Sequence, residues 1–73
     1  MSRLANISGK EAVKVFQKFG WYVVGQVGSH IILSKTGINA NLSIPQNKEL
    51  SVGTLRALIR ISGIIVDEFI EKL

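Results

Sequence analysis

An α+β fold is what this chain of 73 residues predicts, and three observations carry that prediction. An apolar stripe at helical spacing opens the chain and stops at a glycine. Three short β-forming runs follow, separated by glycine-containing turns, and a second helical stripe begins after the only proline. The order is therefore helix, three-stranded antiparallel sheet, helix and a short C-terminal helix. An antiparallel sheet of this size covers one face with its helices and leaves the other open. No linker, repeat or low-complexity segment interrupts the chain, and residues 1–73 are expected to form one domain.

Residues 8 to 19 read as the first helix. Ser8 stands at the N-cap with Glu11 three positions on, the spacing of a capping box, and Gly20 supplies the stop. At 100° per residue Ala12, Val15, Phe16 and Phe19 share one face, and Lys10, Lys14, Gln17 and Lys18 share the other. The composition then switches to β-formers, and a strand is predicted over Trp21 to Val27. Both of its phases are apolar, so the pattern does not choose between Trp21 with Val23 and Tyr22 with Val24 as the inward pair.

Gly28 and Ser29 make a two-residue turn, and His30 to Ser34 forms the second strand of a hairpin. Ile31 and Leu33 are expected to point inward, which sends His30, Ile32 and Ser34 to the opposite face. After the turn Lys35-Thr36-Gly37, residues Asn39 to Ile44 alternate most cleanly, with Ala40, Leu42 and Ile44 inward and Pro45 ending the strand. A polar loop leads to Ser51, the N-cap of a second helix that buries Leu55, Leu58, Ile59 and Ser62 and closes at Gly63. A third helix is predicted from Val66 to Leu73, with acidic residues in its first turn and Lys72 near its end.

Composition narrows the chemistry. The chain has no cysteine, and one histidine among scattered carboxylates gives no cluster at metal-ligand spacing, so no disulfide, metal or cofactor is expected. No apolar run approaches the roughly 18 residues of a membrane span. The N-terminal Met-Ser-Arg-Leu-Ala-Asn lacks the apolar stretch of a signal peptide, which predicts a cytoplasmic protein. Through Val66 eight basic residues face two acidic ones, whereas the last seven residues hold three acidic and one basic. A basic body suits polyanions, because Lys and Arg near phosphates release condensed counterions. Lys10, Lys14, Lys18, Lys35, Lys48, Arg56 and Arg60 are thus candidate phosphate contacts as a set, though each alone also reads as solvated surface.

His30 is the one side chain whose unperturbed pKa lies near neutrality, and with no thiol in the chain it is the first candidate for proton transfer. Gly28 allows close backbone approach, and Ser29 with the turn's amides could hold a phosphate oxygen. Tyr22 reads either as a second acid or as an aromatic packing residue.

Gly20-Trp21-Tyr22, Gln26-Val27-Gly28-Ser29-His30, Ile44-Pro45 and Gly53-Thr54-Leu55, in this order and spacing, closely resemble the HicA-type (YcfA-like) mRNA interferase toxins. The likeness covers nearly the entire chain. It implies a double-stranded-RNA-binding-domain-like fold, cleavage of mRNA, a HicB-type antitoxin as partner, and His30 as the catalytic residue. Two departures stand out: Gly25 and Val27 occupy positions where relatives often carry basic residues, and Gln46 and Asn47 stand where many have a second histidine.

RNA carries its own nucleophile, the 2′-hydroxyl, so its cleavage needs a base, an acid and charge stabilisation but no metal. His30 could serve as the base or protonate the leaving oxygen. Folds of this type read shape through phosphates and 2′-hydroxyls, which predicts little sequence preference. The leading reading is a metal-independent endoribonuclease toxin; the alternatives are a non-catalytic RNA-binding module and a subunit that only holds an antitoxin.

Overall fold

The computed structural model describes residues 3–73; Met1 and Ser2, the start of the segment read above as lacking a signal peptide, lie outside the described residues. Six elements follow in order: α1 (Gly9–Lys18), β1 (Tyr22–Val27), β2 (His30–Lys35), β3 (Ile38–Pro45), α2 (Val52–Ser62) and α3 (Val66–Glu71). The strands form one antiparallel sheet in the order β1-β2-β3. The architecture is the predicted α+β arrangement of a helix, a three-stranded sheet and two helices, consistent with a double-stranded-RNA-binding-domain-like fold.

Local chemistry sets the helix ends. The Ser8 hydroxyl accepts the Glu11 N–H at 3.0 Å, and the Glu11 carboxylate accepts the Ser8 N–H at 2.9 Å, completing the capping box. At α2 the Ser51 hydroxyl accepts the Thr54 N–H at 3.1 Å, and Gly63 caps the other end in the left-handed conformation. The predicted stripes then meet over one sheet face. Ala12, Val15 and Phe16 of α1 and Leu55, Leu58 and Ile59 of α2 close on Leu33, Leu42 and Ile44, with Trp21, Leu50 and Phe69 sealing the margins. Fully burying an aliphatic side chain of this kind stabilises by roughly 1.5–3 kcal/mol. The rings of Phe16 and Phe69 lie 5.2 Å apart, which ties α3 to α1.

Some expectations change. Trp21 precedes β1, is buried, and anchors through its backbone N–H to the Phe16 carbonyl at 3.2 Å, while every residue of β1 itself is exposed. The unreadable phase of this strand has a physical reason: β1 is an edge with a register irregularity between Val23 and Gly25, and neither of its faces lies under a helix. Ala40 is exposed although it shares the phase of the buried Leu42 and Ile44, because its small side chain stands away from the helices that cover those two residues. The third helix stops at Glu71, with Lys72 as its C-cap, short of the predicted Leu73.

The N-terminal segment completes the core in a way no periodicity foretold. Leu4 and Ile7 are buried, and the Leu50 N–H donates to the Ile7 carbonyl at 2.7 Å. Gly9 passes so close to β3 that a Cβ there would collide with the Pro45 carbonyl oxygen and lie 2.9 Å from the Gln46 Cα. Its N–H donates to the Asn47 carbonyl at 2.9 Å.

Candidate functional site

The β1–β2 hairpin turns on two residues, Gly28 and Ser29, with Val27 paired to His30. Gly28 holds a φ of +58°, in the Gly-first pattern of a type II′ turn. Open space surrounds its Cβ position, so the backbone angle and not crowding asks for glycine here. Both sides brace the turn. The Gln26 side-chain amide donates to the Gly28 carbonyl at 2.9 Å, and the Gln46 N–H donates to the Ser29 carbonyl at 2.8 Å.

His30 opens β2 directly after this turn, between Val27 on one side and Pro45 on the other. Leu33 is fully buried beneath the helices, and the two-residue alternation therefore places the exposed His30 on the open face of the sheet. Neither imidazole nitrogen has a hydrogen-bond partner among the described residues. The braced turn fixes the backbone from which the ring projects, and among the described residues both nitrogens are without a partner.

Beside the turn lies a groove of about 340 Å³ lined by Ser8, Lys10, Gln46, Asn47 and Lys48. Two backbone bonds put it there: Gln46 reaches the Ser29 carbonyl, and Asn47 receives the Gly9 N–H. The loop after β3 thus joins the hairpin turn to the start of α1. Every residue along the groove is polar or charged, and two are lysines. Near its rim the Glu11 carboxyl is held below its usual range, first by the Ser8 backbone N–H, then by the Ser8 hydroxyl, with Lys14 adding a smaller pull in the same direction.

The other predicted cations are dispersed. Lys14 and Lys18 continue along the exposed flank of α1, Lys18 being ~12 Å beyond Lys10 at 1.5 Å per residue. Lys18 donates to the Lys72 carbonyl at 2.9 Å. Lys35 sits at the opposite end of β2 from His30, ~17 Å along the strand, with its side chain beside Gly20. Arg56 and Arg60 line a second groove, of about 320 Å³, with Ile59, Ile64, Ile65 and Val66. The structure therefore gathers Gly28, Ser29, His30, Lys10 and Lys48 around one end of the sheet, and sets Lys35, Arg56 and Arg60 apart from it.

Tyr22 does not take the packing role that was one of its two readings. It is 48 % exposed, which removes it from the core, and it pairs with Ser34, ~13 Å along β2 from His30. Ser8, Gln46 and Asn47 are the groove residues that sequence reasoning did not propose as ligand contacts. The available signal was a polar Gln-Asn-Lys run directly after the strand-ending proline. Among the described residues no three His, Asp or Glu side chains form a group able to hold a metal ion, and no helix is long and apolar enough to cross a membrane.

Among curated proteins none matches this chain. The family model of the HicA toxin of bacterial toxin-antitoxin systems matches residues 9–64, which takes in α1, the entire sheet, the Gly28-Ser29-His30 turn and α2, and the chain belongs to that family.

Proposed function

We propose that this toxin is an endoribonuclease that cuts mRNA without a divalent metal, with His30 as its general acid or base, and that a HicB-type antitoxin neutralises it by covering the His30 surface. The observation that carries this reading is an exposed imidazole, with no partner on either nitrogen among the described residues, that projects from the end of a doubly braced turn beside a groove with two lysines.

In the reaction the RNA 2′-oxygen attacks the adjacent phosphorus, the bond from phosphorus to the 5′-oxygen breaks, and a 2′,3′-cyclic phosphate and a 5′-hydroxyl are left. His30 either takes the proton from the 2′-hydroxyl or gives one to the departing 5′-oxygen; water exchanges the other proton. Lys10 and Lys48 oppose the charge that grows on the phosphate oxygens, and the Ser29 hydroxyl and the turn amides are the further groups assigned to hold a phosphate oxygen. Lys14 and Lys18 extend the cationic track along α1 for a longer strand, a role that takes charge and no base recognition.

Purified toxin incubated with mRNA in EDTA tests the reaction. Undiminished cleavage with 2′,3′-cyclic phosphate ends, or their hydrolysis products, is the expected result. Clean 3′-hydroxyl ends would refute the mechanism. For the antitoxin, an acidic or polar surface laid over His30, Lys10 and Lys48 is expected, since complementary charge speeds the encounter and tightens the complex. A toxin–antitoxin complex that leaves His30 open to RNA would contradict that part.

A further inference from the structure

We infer that the groove between α2 and α3 is a docking site for a short acidic peptide segment of a partner protein, one that presents a carboxylate next to an aliphatic side chain. Arg56 and Arg60 stand one helical turn apart along its rim, and among the described residues neither guanidinium has an ion pair or a hydrogen bond. The acidic side chains that open α3 are engaged elsewhere: Asp67 pairs with Arg3, and the Glu68 carboxylate accepts the Ile65 N–H at 3.4 Å. Two planar cations at this spacing fit carboxylates, which a guanidinium binds through paired N–H groups.

The remaining walls decide between peptide and RNA. Ile59, Ile64, Ile65 and Val66 are aliphatic, and Ile65 is 61 % exposed, an apolar surface that a phosphate backbone leaves unused. Single-stranded RNA gains its non-ionic affinity by stacking bases on aromatic rings, and no aromatic side chain lines this groove. A volume of about 320 Å³ suits one or two aliphatic side chains, as on a short segment. The inner side of α2 is buried against the sheet face opposite His30, so occupation of this groove leaves the RNA-facing surface free. The inference is independent of the part proposed for His30.

The test uses the isotope-labelled full chain carrying His30→Ala, made by cell-free synthesis, and follows backbone amide shifts. One probe is a blocked peptide of sequence Glu-Leu-Leu-Asp-Glu; the other is octauridylate. The peptide is expected to shift the amides of residues 59–66, and the double variant R56E/R60E to weaken it at least about tenfold. Ile65→Ser, which keeps both charges, should also weaken it, whereas loss through charge alone would overturn the aliphatic half of the inference. If the peptide produces no shifts in this region, or if octauridylate occupies it more tightly than the peptide does, the groove is not a peptide site. All substituted side chains are exposed, and unchanged amide dispersion in the free variants checks their folding.

Discussion

The two grooves of this toxin have nearly the same volume and two cations each, yet different residues surround those cations. The groove beside His30 surrounds Lys10 and Lys48 with a hydroxyl and two amides and meets a turn built for close backbone approach. The groove between α2 and α3 surrounds Arg56 and Arg60 with four aliphatic side chains. A positive charge names only the sign of its partner. In the readings proposed above, the residues around each pair assign a phosphate chain to the lysines and a carboxylate with an aliphatic companion to the arginines.

The largest effect expected at the first groove is on chemistry. His30→Ala should lower the rate of RNA cleavage on the order of 10² to 10⁴-fold, the usual cost of losing a general acid or base. As an exposed substitution it should change stability by no more than about 0.5 kcal/mol. RNA cleavage, RNA affinity and thermal unfolding measured on this one variant separate the possibilities: a variant that melts normally and still cuts mRNA removes His30 from the mechanism.

Gly9→Ala comes next, because it wedges the start of α1 away from the end of β3 and the loop that lines the same groove, without touching the imidazole. The new methyl would meet the Pro45 carbonyl and Gln46 Cα, and overpacking of this kind costs roughly 1–3 kcal/mol. In a chain of this size each kcal/mol lowers the melting temperature by about 4–8 °C. Amide shifts should spread through residues 45–48 and the Ser29 turn while residues 59–66 stay quiet. Equal disturbance of both regions would show that the grooves are not independent.

A smaller effect separates the two pairs of cations. Replacing Lys10 and Lys48 with alanine should flatten the dependence of log RNA affinity on log salt by ~0.7 for each lost single-strand phosphate contact. Replacing Arg56 and Arg60 should leave that slope nearly unchanged. Slopes that fall equally in both variants would return the arginines to the RNA surface.

The smallest effect concerns Glu11. Its carboxyl is held below the usual range in the folded chain by hydrogen bonds from Ser8, with help from Lys14. A depressed folded value means that the ionised form favours folding, so the contribution is present above the unfolded pKa and is lost as pH falls through the depressed one. Acid titration of thermal stability should therefore show a slight loss below the ordinary carboxylate range that is reduced in Glu11→Gln. Glutamine keeps the capping geometry and removes the titration.

Much of the fold was legible because its signals are local. Ser8 with Glu11, and Ser51 before Leu55, announce helix starts through groups only three or four residues apart. Leu33 set between polar-face neighbours gave the orientation of His30, since a strand reverses its side chains at every step. β1 could not be read in the same way. An edge strand exposed on both faces and irregular at Val24 has no buried phase for a pattern to reveal.

In α1, α2 and β2 the residues themselves determined which side chains leave toward solvent, because that direction follows from the backbone period of the element. Seven cations could therefore be placed on the surface, but not beside one another. Their grouping was decided by long-range contacts: Leu50 to Ile7, Gly9 to Asn47 and Gln46 to Ser29 draw three separate segments together around His30. The packing of α2 on the far face takes Arg56 and Arg60 away from it. Proximity between segments distant in the chain depends on how whole elements bury their apolar faces against one another, and no local period encodes that.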